Sequence, residues 1–224
     1  DMTAAVQEKY DRLLADGFEV IGIDRFSDYY DRELKEQNLA AACSHPRFTL
    51  IEADIVEMTT FPAVDYVFHL AAQAGVRASW GKSFAIYTRD NIQATQRLLD
   101  FYATDVGAGV ATTGASASGS TATNSSAPSK LKRFVYSSSS SVYGDVPLPM
   151  HEELMLQPVS PYGVSKLAAE HLCYLYWKNF CVPTVSLRYF TVYGPRQRPD
   201  MGINKFVRAI QKGDPITIYG DGTQ

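Results

Sequence analysis

Short apolar runs alternate with amphipathic stretches along this chain. Val20-Ile21-Gly22-Ile23-Asp24, Phe48 to Asp54, Tyr66 to Leu70, Phe134-Val135-Tyr136 and Thr184 to Arg188 are rich in β-branched and aromatic residues, and the first two end in an acid. Nearly unbroken apolar strands are what a parallel sheet covered by helices on both faces requires. Between them the pattern turns helical. Thr3 to Ala15 carries Val6, Tyr10, Leu13 and Leu14 at helical spacing, with Gly17 where a helix would end. Arg89 to Tyr102 and Tyr162 to Asn179 read as two more helices, the second with Leu167, Leu172 and Leu175 on a common stripe. Strands alternating with helices predict an α/β fold.

Composition adds bounds. The 224 residues suffice for one domain with a large core and part of a second. A net charge of −3 offers no basic surface for nucleic acid and no acidic tail. Cys43, Cys173 and Cys181 form neither a CxxC pair nor a zinc-spaced cluster, so no metal is expected and a reducing, cytoplasmic setting is. No apolar run approaches the roughly 18 residues of a membrane span. Asp105 to Lys130, almost entirely Ala, Gly, Ser and Thr, has too little apolar surface to offset the entropy of ordering it and reads as a disordered insertion.

Two segments carry candidate chemistry. Tyr162-Gly163-Val164-Ser165-Lys166 follows Pro161 at the start of a helix. Residues four apart share a helical face, so the lysine ammonium can sit by the phenol and favour its ionised form. A general base at neutral pH needs that help, because an unperturbed tyrosine titrates near 10. About twenty residues upstream, Ser137 to Ser141 and Val142-Tyr143-Gly144 directly follow an apolar strand. Hydroxyls at the C-terminal end of a parallel strand face the ligand crevice of such sheets.

Together with Leu187-Arg188-Tyr189-Phe190-Thr191-Val192-Tyr193-Gly194-Pro195, these segments resemble the extended short-chain dehydrogenases/reductases that act on nucleotide sugars. Ile23 to Asp31, His69-Leu70-Ala71-Ala72-Gln73-Ala74-Gly75-Val76-Arg77, Arg196 to Met201 and Ile216 to Gln224 resemble the UDP-glucuronate 4-epimerase branch in particular. The resemblance implies a Rossmann-like doubly wound parallel sheet over residues 1–187, and the start of a smaller substrate-binding region over 188–224. It makes Tyr162 the catalytic base, Lys166 its tuning cation and ribose contact, and Ser139 the hydroxyl facing the sugar 4-oxygen. NAD is the implied cofactor. Asp24 would bind the adenosine ribose, and its charge would repel a 2′-phosphate. Asp54 would meet adenine, Leu70, Ala71 and Ala72 would line the dinucleotide, Asn91 would stabilise the site, and Tyr189 and Phe190 would border the nicotinamide. Arg77, Ser140, Ser141, Thr191 and Arg198 match positions near the sugar. A guanidinium there suits phosphate or a uronate carboxylate, because its planar fork takes two oxygens at once.

The implied reaction is C4 inversion of a UDP-sugar through a transient 4-keto sugar. UDP-glucuronate is the first choice and UDP-glucose the second. A 4,6-dehydratase fits less well, because Ser140-Ser141 stand where that branch carries Asp-Glu. The implied assembly is a homodimer through the helices near Arg89–Tyr102 and Tyr162–Asn179.

One part of the family pattern is not in the sequence. No GxxGxxG occurs anywhere, although Thr3 to Gly17 matches the helix that should follow such a phosphate-binding turn. The missing strand would lie between the Val20 and Val67 strands, splitting the sheet into halves with unpaired edges. The chain reads as a fragment, and a non-catalytic truncated remnant is the rival to the enzyme reading.

Overall fold

The computed structural model describes residues 4–105 and 131–218. Apart from its first residue, the insertion expected at 105–130 lies outside the described residues, as does the chain beyond residue 218. The described elements follow the alternation read from the sequence: α1 (Ala4–Ala15), β1 (Val20–Asp24), α2 (Arg32–Cys43), β2 (Phe48–Glu52), β3 (Tyr66–His69), α3 (Phe84–Tyr87), α4 (Ala94–Asp105), β4 (Arg133–Ser139), α5 (Pro161–Phe180), β5 (Thr184–Tyr189) and α6 (Gly202–Lys212). They form two compact units.

The first unit comprises residues 1–52 and 191–224. β1 and β2 pair in parallel, Val20 opposite Phe48 and Asp24 opposite Glu52. Tyr10 and Leu14 from α1 and Leu39 and Ala42 from α2 form its core with Phe26, against Val20, Phe48 and Leu50. Gly17, past the end of α1, has φ of 93°, the left-handed turn that stops the helix. The sequence pattern did not reveal α2. Its buried positions are Lys35, Leu39 and Ala42, so one of the three inward residues is charged and the apolar stripe is short.

The second unit comprises residues 53–190. Its three strands are parallel in the order β3-β4-β5, with His69 opposite Tyr136 and Ser139 opposite Tyr189. That register brings the residues after His69, Ser139 and Tyr189 to one end of the sheet. β4 is longer than its apolar run, because Ser137, Ser138 and Ser139 continue the ladder. Helix α5 starts with Ser160 as N-cap, its Oγ accepting from the Gly163 N–H, and with Pro161 in the first turn. The expected leucine stripe on this helix does not form: Leu175 is exposed. The buried face is Gly163, Ser165, Lys166, Ala169, Glu170, Cys173 and Tyr176. Small and polar side chains let α5 lie close against β4, a spacing that a count of large aliphatics cannot detect.

Among the described residues, no strand pairs with the second edge of β1 or of β3. The described strands thus form two parallel sheets, one of two strands and one of three. No helix among these residues is long and apolar enough to cross a membrane.

Candidate active site

Tyr162 and Lys166 occupy the first two turns of α5, with the phenol half-buried and the lysine 4 % exposed. The Lys166 Nζ donates to the Ser137 carbonyl at 2.9 Å and lies 6.0 Å from the Tyr162 ring centroid and 5.2 Å from that of Tyr136. Burial pushes the ammonium down to about 8, because little water remains to solvate its charge. Ser139 ends β4 two residues beyond Ser137. Its Oγ accepts from the Ser141 N–H at 3.2 Å, which leaves its own hydroxyl proton to donate. Ser140 and Ser141 follow in a short 3₁₀ turn, both half-buried.

Gly163 explains how the serine segment comes so near the helix. A Cβ there would lie 2.5 Å from the Ser141 carbonyl oxygen, so only glycine allows this approach without displacing backbone.

Asn91 sits in a π-helical turn, Thr88–Gln93, ahead of α4. Such turns insert one extra residue and re-aim side chains, often at functional sites. The Asn91 Oδ1 accepts from the Gln73 N–H at 2.7 Å, while Nδ2 donates to the Gln73 carbonyl at 3.1 Å and to the Ser165 Oγ at 2.8 Å. Ser165 in turn donates to the Tyr162 carbonyl at 2.7 Å. One buried amide thus joins the loop after β3, which carries Leu70, Ala71 and Ala72, to the helical turn that carries Tyr162.

Three supporting residues had no assigned role in the sequence reading. The Tyr87 hydroxyl reaches the Ala74 and Gly75 carbonyls at 3.0 and 2.7 Å, and its ring meets Tyr162 edge-on at 6.2 Å. His69 is buried, with Nε2 2.9 Å from the Thr95 Oγ1. Thr95 gives its only proton to the Asn91 carbonyl, so it accepts from Nε2–H. Burial, and secondarily Lys166, pushes His69 down to about 3. Arg89 donates to the Asp54 Oδ2, the Asp90 Oδ1 and the Glu57 Oε1, each at 3.0 Å, while the Asp54 Oδ1 accepts from the Val56 N–H at 2.9 Å. The pattern gave no signal for Tyr87 or Arg89. His69 lay in a quoted motif but without a role.

Tyr189, half-buried at the end of β5, is brought opposite Ser139, and Phe190 follows it exposed. Arg77 is exposed, in a 3₁₀ turn after the same loop. The other expected contacts lie in the first unit. Asp24 ends β1, and its Oδ1 accepts from the Phe26 N–H at 2.6 Å, with Phe26 at φ of 52°. Buried Lys35 donates to the Ser27 carbonyl, tying the loop after Asp24 to α2. Thr191 is exposed. Arg198 is buried, and its Nε and Nη2 meet the two Asp200 oxygens at 2.9 and 3.0 Å, so its fork is engaged within the chain.

The residues present suit a dinucleotide. Among the described residues, the Lys166 ammonium makes one hydrogen bond, leaving two N–H donors of a buried cation for a ribose diol. Among the described residues, His, Cys, Asp and Glu side chains do not gather into a group able to hold a metal ion.

Comparison with known proteins gives the class. The profile of the NAD dependent epimerase/dehydratase family matches residues 9–224, and the chain belongs to that family. It is 40% identical over 208 residues to the uncharacterized UDP-glucose epimerase YtcB of Bacillus subtilis (strain 168), covering 92% of this chain and 58% of that protein. It is 36% identical over 222 residues to a UDP-glucuronate 4-epimerase of Thermodesulfobacterium geofontis (strain OPF15), covering 95% of this chain and 60% of the relative. Among solved structures, it resembles the UDP-glucuronic acid 4-epimerase from Bacillus cereus in complex with UDP-glucuronic acid and NAD. The TM-score is 0.82 at 38% identity, covering 98% of this chain and 63% of the other. The fold is accordingly Rossmann-like, and the chain spans about three-fifths of the length of these relatives.

Proposed function

We propose that the protein carrying this chain is an NAD-dependent nucleotide-sugar 4-epimerase acting on UDP-glucuronate and UDP-galacturonate. One arrangement carries the reading: the buried Lys166 ammonium against the Ser137 carbonyl, the Tyr162 ring beside it, and the Ser139 hydroxyl at the end of the same strand. Tyr162, as the phenolate, takes the proton of the sugar 4-hydroxyl. Lys166 stabilises that phenolate through its positive charge, and Ser139 donates to the 4-oxygen. NAD held by these residues would supply the hydride acceptor and donor for C4, with no net change in the cofactor. Inversion then requires room in the site for the 4-keto sugar to turn over. Tyr162 then gives its proton back as the hydroxyl reforms.

In this reading Lys166 and Asp24 hold the two riboses, Asp54 meets adenine, and Leu70, Ala71 and Ala72 line the dinucleotide. Tyr189 and Phe190 border the nicotinamide, and Asn91 holds the loop and helix in register. Arg77, Ser140, Ser141, Thr191 and Arg198 form the sugar-nucleotide side. Residues 1–187 serve as the cofactor domain and 188–224 begin the substrate region. The uronate preference is supported by the quoted motifs and by the names of the Thermodesulfobacterium and Bacillus cereus relatives. The name of the Bacillus subtilis relative favours UDP-glucose as the second choice. Exposed Tyr174, Leu175 and Trp177 on α5 support a homodimer through that helix.

The test supplies UDP-glucuronate or UDP-glucose, with NAD, to a full-length protein joining this chain to a first strand, a glycine loop and the remainder of the substrate region of a relative. Chromatography should find UDP-galacturonate from the first at the higher kcat/KM. A preference for UDP-glucose would move the substrate assignment, and no product from either would overturn the proposal.

A further inference from the structure

Arg188 has no role in the reading above, yet its guanidinium touches two segments that build the site, α5 and the turn after β4, and the loop at Glu152 besides. It lies on β5 opposite Ser138. Its Nε and Nη2 grip the Glu170 carboxylate at 3.1 and 2.9 Å. Its Nη1 donates to the Tyr143 hydroxyl at 3.3 Å and to the Glu152 carbonyl at 3.2 Å, and the group stacks 5.0 Å over the Tyr143 ring. Glu170 is buried on α5, four residues past Lys166 and eight past Tyr162. Tyr143, also buried, closes the 3₁₀ turn that Ser139 caps.

These contacts differ in kind from the others that hold the serine segment. The approach of Ser141 to Gly163 is a packing contact, which limits distance but not direction. A planar fork with fixed N–H directions sets orientation as well. Compared with apolar replacements, an ion pair withdrawn largely from water gives little net stability, so the geometry of this partly buried pair is its distinctive contribution.

We infer that Arg188, gripped by Glu170, is a positioning residue that fixes the Ser139–Tyr143 segment against α5 and thereby sets the placement of the Ser139 hydroxyl relative to Tyr162. The inference rests on the reading of Ser139 and Tyr162 as the groups facing the sugar 4-oxygen, but its test needs neither cofactor nor turnover. A small misplacement of such groups is costly in rate, which is why a dedicated clamp is worth having.

The experiment is hydrogen–deuterium exchange on the 224-residue chain, comparing the parent with Arg188→Lys and Tyr143→Phe, with thermal unfolding of each. Lysine keeps the charge opposite Glu170 but cannot span Glu170, Tyr143 and Glu152 at once. Amides of the Ser139–Gly144 segment should exchange about tenfold faster in Arg188→Lys, with β3 and α4 unchanged, as expected for a local opening. Tyr143→Phe deletes only the hydroxyl and should give a smaller acceleration confined to the same segment. It also keeps the test decisive if Arg188→Lys fails to fold. Parent-like exchange in the variants, or acceleration spread evenly over the unit, would overturn the inference. A local acceleration together with absent epimerase activity in the completed protein would leave the clamp standing and sink the proposed reaction instead.

Discussion

The Lys166 ammonium is bonded to the Ser137 carbonyl at 2.9 Å while buried almost completely from water. This bond fastens the helix bearing Tyr162 to the strand bearing Ser139. It also places an unscreened charge where desolvation opposes it. The first prediction follows from that conflict.

Burial lowers Lys166 from its ordinary 10.5 to about 8. Between those values the unfolded chain keeps the proton and the folded chain has released it. Stability should therefore rise with pH from about 8, by up to about 1.4 kcal/mol per unit for one proton. Above pH 9 the rise is opposed by Cys173, and above pH 10 by Tyr30 and Tyr176 as well, all of which burial holds protonated up to about 12. Urea unfolding at pH 8 and 9.5 should show the increase in the parent and its loss in Lys166→Met. An unchanged slope in the variant would mean that Lys166 is better solvated than its burial indicates.

His69 governs the acid side. Its folded value of about 3 lies below the ordinary 6.5, so the unfolded chain binds the proton first as pH falls. The stability it contributes is complete above 6.5 and is lost progressively toward 3. Between pH 6.5 and 5, the chain should lose up to about 1.4 kcal/mol per unit. His69→Gln, which can still meet Thr95, should flatten this part of the curve in urea titrations.

Among the described residues, the buried Tyr136 hydroxyl has no hydrogen-bond partner. Leaving such a group unsatisfied costs roughly 1–3 kcal/mol. Tyr136→Phe keeps the ring packed against His69 and removes the oxygen. The variant should be as stable as the parent or more so in urea unfolding. A loss beyond about 1 kcal/mol would mean that the hydroxyl has a partner, such as a bound water.

Tyr162→Phe tests the proposed reaction in the completed protein. It removes one oxygen and preserves the ring contact with Tyr87, so UDP-sugar binding should persist. The rate should fall by the 10² to 10⁴ or so that a general base contributes. Retention of more than about a tenth of the parent rate would assign the proton transfer elsewhere.

Cofactor affinity should expose the role of the phosphate loop. No GxxGxxG occurs within these 224 residues, so the backbone N–H groups that hold a pyrophosphate at a helix N-terminus are not supplied by this chain. Calorimetry should detect weak NAD binding or none. Micromolar binding by the chain alone would show that the other contacts suffice.

Most of what could be read in advance was local. Helix α1 was legible because Tyr10 and Leu14 recur on one face and Gly17 stops it. The strands were legible as apolar runs, and Tyr162 and Lys166 as a pair because their spacing matches one helical turn. Helix α2 was missed because a buried lysine interrupts its stripe, and the inward face of α5 was misread because its buried positions are small, polar or charged except for Cys173 and Tyr176.

The sequence alone determined the alternating α/β order, the serines beyond β4 and the YxxxK pair, since each is written within a few neighbouring residues. Only the tertiary structure decided their partners. Asn91 reaches Ser165 across 74 positions, Tyr143 meets Arg188 across 45, and Arg198 turns to Asp200 two positions away. The first two pairings depend on how helices settle on strands, and the third on a buried loop conformation. Hydrophobic periodicity specifies which face of an element turns inward, but not which polar groups then come within hydrogen-bonding distance. That is set by packing and by the cost of leaving a buried donor or acceptor unpaired.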